Sequence, residues 1–376
     1  MVRIAINGYG RIGRCFLRAL RASPWRDALQ VVAINEPADL DSMAYLTRFD
    51  STHGVFPGEV TVHDGGLSID GQAIRVFHAD TPEGVAWAEA GVDLLVEASG
   101  RYSTRAELER FVAAGCPRVL LSHPGHSAAD VDRTIVYGMN HAQLRGDERL
   151  VSAASCTTNA IVPVLALLDE AFGIEHALMT TLHSVMNDQP LIDGYHHADL
   201  LRTRSAMQSL IPVSTGLARG VQRLLPELAG RIEAKAIRVP VVNVSAIDLV
   251  ATLRRDADRG AVQALLRDAA AGPARGAWPT RMSPTPPSTS TTAPIRPSWM
   301  AARSAWWAGG CSTCWCGSTT NGASPTAWWS WLGTGPGAWT RRAPAERQKR
   351  RANSVAWAMA RLASSSAATS APPTRV

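Results

Sequence analysis

A strand-forming run, Val2–Asn7 (VRIAIN), breaks at Gly8-Tyr9-Gly10-Arg11-Ile12-Gly13 and passes into Arg14–Ala22, where Cys15, Phe16, Ala19 and Leu20 recur at helical spacing. Three glycines in a G-x-G-x-x-G pattern between a buried strand and a helix restrict the fold more than any other feature of the chain. They permit a tight turn, a close backbone approach to a ligand and close packing of helix on strand. The helix start adds free amide donors and a partial positive charge, which suit a pyrophosphate. On its own the motif is a weak signal, because glycine turns between strand and helix are common.

A second strand, Leu29–Ile34, strengthens it by ending at Asn35-Glu36. A carboxylate there accepts hydrogen bonds from both ribose hydroxyls and repels a 2′-phosphate, so NAD is expected rather than NADP. Further strands are expected at Val92–Glu97 and Arg118–Ser122, with a helix over Arg105–Ala114. This alternation predicts α/β architecture: a Rossmann-type doubly wound parallel sheet over residues 1–151. The expected cofactor contacts are Asn7, Gly8, Gly10, Arg11, Ile12, Gly13, Glu36, Ser99, Gly100 and Ser122, at the turn or at strand ends.

Chemistry points to a second region, an α+β catalytic domain expected over 152–276. Ser152–Asn159 reads SAASCTTN and runs into an apolar helical stretch, Ala160–Leu168. A thiol just before a helix has amide donors and a dipole that favour the thiolate, and those amides can hold an oxyanion. A lone cysteine is more often a buried structural residue, but the small polar neighbours of Cys156 argue for a reactive one. His183 closes an expected strand in Met179–Gln189, where an imidazole could act as base. Taken alone, such a histidine more often belongs to a core or a surface.

Together GYGRIGR, SAASCTTN, the His183–Gln189 stretch and Ile237–Leu249 resemble the glyceraldehyde-3-phosphate dehydrogenase family, almost continuously from Val2 to about Gly276. The resemblance implies Cys156 as the acylated nucleophile and His183 as its base, with hydride leaving a thiohemiacetal to give a thioester. It also implies anion contacts from Ser155, Thr157, Thr215 and Gly216, and substrate-binding arginines at Arg202 and Arg238. The small-molecule partner is then an aldose phosphate, and the assembly a homotetramer if the C-terminus were in frame. Met186, Glu36, the Leu121–Gly125 turn (LSHPG) and Tyr195–His197 are similar to the family's erythrose-4-phosphate branch. That implies water as the attacker of the thioester and a place in pyridoxal phosphate synthesis; the phosphorylating glyceraldehyde reaction and a non-catalytic NAD-binding remnant are the alternatives.

Composition changes abruptly at Ala277. Of 38 Lys and Arg and 32 Asp and Glu, the last hundred residues hold 11 and one, so the part before them is mildly acidic. A nucleic-acid partner is therefore not expected. Ten of the 12 tryptophans lie in that tail, with five Ile, Leu or Val and no Phe. Read one base out of register, with free choice of synonymous codons, Pro287–Thr292 permits Val-Asp-Phe-Asn-His. Trp315–Trp329 permits Val-Trp-Phe-Asp-Asn-Glu-Trp-Gly-Phe-Ala-Asn-Arg-Met-Val. Both strings resemble the family's C-terminal segments, so residues 277–376 are expected to be a frameshifted, disordered tail rather than a genuine Trp-rich extension, and the catalytic domain incomplete. The Cys311, Cys314, Cys316 spacing is explained the same way, and no metal is expected. Widely spaced cysteines elsewhere fit a cytoplasmic protein. No apolar run approaches the ~18 residues of a membrane span.

Overall fold

A computed structural model describes residues 1–197, 199–242 and 245–271, with the short segments 280–281, 299–300, 305–307 and 311–318. It divides into two compact units, the first running from Met1 to Ala154 and the second beginning at Ser155.

The first unit is built on β1 (Val2–Asn7), β2 (Leu29–Asn35), β3 (Val60–His63), β4 (Gly66–Ile69), β5 (Gln72–Phe77), β6 (Leu94–Glu97), β7 (Val119–Leu121), β8 (Arg133–Thr134) and β9 (Leu150–Ser152). Their order is β8-β9-β7-β6-β1-β2-β5-β4-β3. From β8 to β5 neighbouring strands are parallel. The last two pairs, β5 with β4 and β4 with β3, are antiparallel. That antiparallel edge was absent from the expected parallel sheet. Its cause is local: Asp64-Gly65 and Asp70-Gly71 supply turns, with Gly65 at φ 76° and Gly71 at φ 78°, that return the chain directly.

Ile4, Ala5 and Ile6 are wholly buried because both faces of β1 are covered. Helix α1 (Arg11–Arg21) buries Cys15, Phe16, Leu17 and Leu20, and α2 (Leu40–Arg48) starts at Asp39, whose carboxylate accepts from the Ser42 amide. A third helix, α3 (Arg105–Ala113), is capped by Thr104 and Glu107, each accepting from the other's backbone. Its Leu108 and Phe111 join Trp87, Leu95, Val119 and Leu121 in one core cluster.

The second unit contains α4 (Cys156–Phe172), β10 (Ile174–His183), β11 (Ile211–Val213), α5 (Leu217–Leu224), β12 (Ile232–Arg238), β13 (Ser245–Leu253) and α6 (Arg259–Ala271). Its sheet also takes in β14 (Ala305–Trp307) and β15 (Cys311–Ser318), in the order β11-β12-β10-β13-β15-β14. Ile247, Leu249, Ala251 and Leu253 are buried on one face of β13, where strict alternation marks a half-covered strand. Of the expected disordered tail, only the four short segments named above are described, all as strands. The rest of 277–376 lies outside the described residues.

Candidate active site

In the first unit, Asn7, Gly8, Gly10, Glu36 and Ser99 line one cleft at the C-terminal ends of the parallel strands. Gly8 takes φ +87°, and a β-carbon there would lie 2.5 Å from the Ser99 backbone. Gly13 has no room either, since its β-carbon would meet the Gly8 carbonyl oxygen at 2.3 Å. Gly10 differs: nothing lies within 4 Å of where its β-carbon would be, and it lines the cleft. A side chain at Gly10 would thus fill space that a ligand can use. Gly10 also begins α1 without any side-chain cap, leaving first-turn amides for an anion.

Glu36 follows β2, and one of its carboxylate oxygens accepts from the Tyr9 amide at 2.6 Å. The Arg11 guanidinium is committed to Asp50 at 3.0 Å, so what Arg11 and Ile12 offer a ligand is their backbone. Gly100 takes φ +74° and Ser122 donates its amide to the Glu97 carbonyl, but neither lines the cleft.

Asn35 and Glu97 also shape this site, and sequence reading gave them no role. Asn35 Nδ2 donates to Asn7 Oδ1 at 2.8 Å, and Asn7 Nδ2 donates to Glu97 Oε2 at 2.6 Å. Glu97 Oε1 in turn accepts from the Ser99 amide at 2.7 Å and its hydroxyl at 2.5 Å. A chain of side-chain bonds therefore crosses the ends of β2, β1 and β6 beneath the cleft. Burial pushes the Glu97 carboxyl up, against the opposing pull of Ser99 and Asn7.

The second unit opens at Ser155, which leads into α4; Ala154 just before it is held at φ +59°, a region that alanine rarely adopts. Ser155 caps the helix, its Oγ accepting from the Thr158 amide at 3.0 Å. Cys156 is the first helical residue rather than one lying before it. Burial raises its thiol, while the Thr157 amide, Arg238 and its own amide lower it, and the net shift is upward. The helix-start amides favour the thiolate, as expected, while desolvation works against them and outweighs them. Thr157 is buried beside it, 3.2 Å from Ser155 Oγ.

His183 and Arg238 end the parallel strands β10 and β12, and the register sets them directly opposite. Arg238 Nη1 lies 2.7 Å from His183 Nδ1, and Ser184 O lies 2.7 Å from the same nitrogen. Burial lowers the His183 pKa, with Arg238 adding to the effect and the Ser184 backbone and Asp188 opposing it. Arg238 also reaches Asp188 at 3.3 Å, and Arg202 donates to that carboxylate at 2.8 Å. Cys156, His183, Arg202 and Arg238 are thus linked through Arg238 and Asp188, the latter not singled out from the sequence. Thr215 and Gly216 sit at the start of α5, where Gly216 has no side-chain cap and Thr215 Oγ1 accepts from the Leu217 amide. Gly220 lets α5 approach the first turn of α4: its β-carbon would meet Thr158 Oγ1 at 2.8 Å.

Two family models match the chain. Residues 2–105 match the NAD binding domain of glyceraldehyde 3-phosphate dehydrogenase, and residues 155–280 match its C-terminal domain. Together the matches span more than half of the chain. The chain belongs to the glyceraldehyde 3-phosphate dehydrogenase family. NAD is therefore its cofactor, and the first unit fits it: an open position at Gly10, uncapped amides, and a carboxylate at Glu36. Among the described residues no group of His, Cys, Asp or Glu could hold a metal ion, and no helix is long and apolar enough to cross a membrane.

Proposed function

We propose that this family member oxidises D-erythrose 4-phosphate to 4-phosphoerythronate, as an NAD-dependent dehydrogenase acting through Cys156. The observation that carries the reading is the in-register pair of His183 and Arg238, with Arg238 also acting on Cys156. Because the half-buried thiol holds its proton, a base has to remove it, and neutral His183 is the candidate. Cys156 Sγ adds to the aldehyde carbon, the proton taken from the thiol passes from His183 to the new oxyanion to give a thiohemiacetal, and that hydroxyl proton returns to His183 as the thioester forms. Bound NAD supplies the hydride acceptor for that carbon. Water then attacks the resulting thioester, releasing the carboxylate and returning the thiol. Arg202 and Arg238 hold the substrate's phosphate; Ser155, Thr157, Thr215 and Gly216 form a second anion site of hydroxyls and helix-start amides. Asn7, Gly8, Gly10, Arg11, Ile12, Gly13, Glu36, Ser99, Gly100 and Ser122 surround the cofactor.

Met186 favours erythrose over glyceraldehyde phosphate, because glyceraldehyde enzymes of the family usually have threonine three residues after the histidine and a thioether there removes that hydroxyl donor from one phosphate pocket. NADH production from each aldehyde, with and without inorganic phosphate, tests this. Turnover of the erythrose substrate without phosphate is the expected result, and a strict phosphate requirement with glyceraldehyde 3-phosphate would point to the phosphorylating reaction. The in-frame protein is a cytoplasmic homotetramer. Self-association is favoured by apolar side chains exposed at Leu191, Ile192, Leu200 and Leu210, all more than 60% accessible.

The tail from Ala277 is read one base out of register, as two further observations support. The C-terminal family match ends at residue 280, close to the change in composition. In addition, Cys314-Trp315-Cys316 gives one outcome whichever cysteine codon is used: the shifted frame there encodes Leu and then Val. These apolar residues fall within β15, whose backbone pairs with β13. The shifted frame thus supplies strand-forming residues where the sheet has a place for them.

A further inference from the structure

Asp188 stands between two guanidinium groups. Its Oδ2 accepts from Arg202 Nη1 at 2.8 Å, and both its oxygens lie 3.3–3.4 Å from Arg238 Nη2. The Arg238 bonds are long for a charge-assisted pair, which usually closes to below about 3 Å. Arg202 Nε is buried without a hydrogen-bond partner, although the Asp199 carboxylate lies 3.3 Å away. Two forked donors thus share one carboxylate, and an N–H remains unused. Asp188 is itself one-third exposed, so a dissolved anion has access to it.

His183 gives this arrangement a chemical consequence. Its Nδ1 faces a donor, Arg238 Nη1, and an acceptor, Ser184 O, both at 2.7 Å. One ring nitrogen of a neutral imidazole cannot serve both. Arginine keeps its protons, so while Arg238 is in place Nδ1 is an acceptor and Nε2 carries the hydrogen. Once Arg238 withdraws, Nδ1–H donates to Ser184 O and the lone pair moves to Nε2, with no net change in protons.

We propose that Asp188 is a built-in stand-in for the substrate's phosphate: an arriving anion displaces it from Arg238, draws Arg238 off His183, and so switches which imidazole nitrogen is the base. Asp188 is thereby a positioning residue, acting through Arg238. This inference rests on the reading of Arg202 and Arg238 as the phosphate site. Substrate binding then prepares the base, and the protein without an anion keeps it idle.

Inorganic phosphate is the probe, titrated into the full chain and its Asp188→Asn, Arg202→Gln and Arg238→Gln variants by calorimetry. Selective 15N-histidine labelling reports the His183 tautomer, and thermal unfolding shows that each variant is folded. Asp188→Asn should bind phosphate about three-fold more tightly or better, having lost its internal competitor. Phosphate should also move the His183 proton from Nε2 to Nδ1 in the unmodified chain. Unchanged or weaker binding in a folded Asp188→Asn variant overturns the inference, as does phosphate binding with no change of tautomer. The tautomer measurement decides alone if Asp188→Asn does not fold. Should both arginine variants bind phosphate as well as the unmodified chain, the phosphate-site reading itself falls. Weakened binding in those two, with no gain in Asp188→Asn, removes only the stand-in role.

Discussion

At Gly8 the backbone takes φ +87° with no room for a β-carbon, and at Gly13 the neighbouring carbonyl fills the same space. Gly8→Ala or Gly13→Ala should therefore weaken NAD binding by roughly ten-fold or more, as measured by calorimetry, because the loop must move to relieve the clash. Cys156 has a different signature. Burial leaves its thiol mostly protonated at neutral pH, so alkylation by iodoacetamide should accelerate steadily as pH rises through and beyond the ordinary thiol value of 9.0. Cys15, pushed up to about 11, and Cys116, pushed up to about 12, are both buried and should lag behind it in peptide mapping. Arg238→Gln should slow Cys156 further at any fixed pH, since the guanidinium is one of the groups lowering its pKa. The identities of Cys156, Gly8, Gly13 and Glu36 were legible because each sits in a short contiguous motif. The Asn7–Glu97 bond was not, since it joins residues ninety positions apart and depends on which strands become neighbours. Asp188 escaped notice for a similar reason: its two arginines come from other parts of the chain.

Strands and helices carry the next level of the account. Leu29–Asn35 and Arg105–Ala113 fall within a residue of where the strand and helix patterns put them. The helix expected at Ala160–Leu168 extends to Cys156–Phe172, because Ser155 caps it and Pro163 is accommodated inside it. Ser155→Ala should cost about 1 kcal/mol of stability in urea unfolding through loss of that cap. The ends of β1, β2 and β6 are bound together through buried Glu97. Its folded-state pKa lies above the ordinary 4.5, so the folded chain holds this proton more tightly than the unfolded one. The stabilising contribution is complete below 4.5 and is lost as pH rises through the raised value. Comparing urea unfolding of the unmodified chain and Glu97→Gln between pH 4.5 and 8 should show that decline in the former alone. A decline of equal size in both would assign the pH dependence to other groups.

Over the whole molecule, the two family matches leave the last hundred residues almost untouched. On the proposed frameshift, the family's closing segments are replaced by an unrelated sequence, and a sheet finished in that way is expected to be prone to aggregation. Residues 2–105 and 155–280 were readable as one kind of protein because their motifs survive intact. The proposed frameshift of the tail rests on the genetic code and on composition alone, because its amino acids carry no coherent hydrophobic pattern. The central claim is that Cys156 chemistry is encoded complete as far as about Gly276 and that its sheet is finished in another frame. NADH formation from D-erythrose 4-phosphate tests it most directly, comparing the chain as written with one whose reading frame is restored near codon 276. Turnover by the restored protein, lost on Cys156→Ser, and none by the chain as written is the result predicted. Normal turnover by the chain as written, or a restored protein that folds yet oxidises no aldose phosphate, would contradict it.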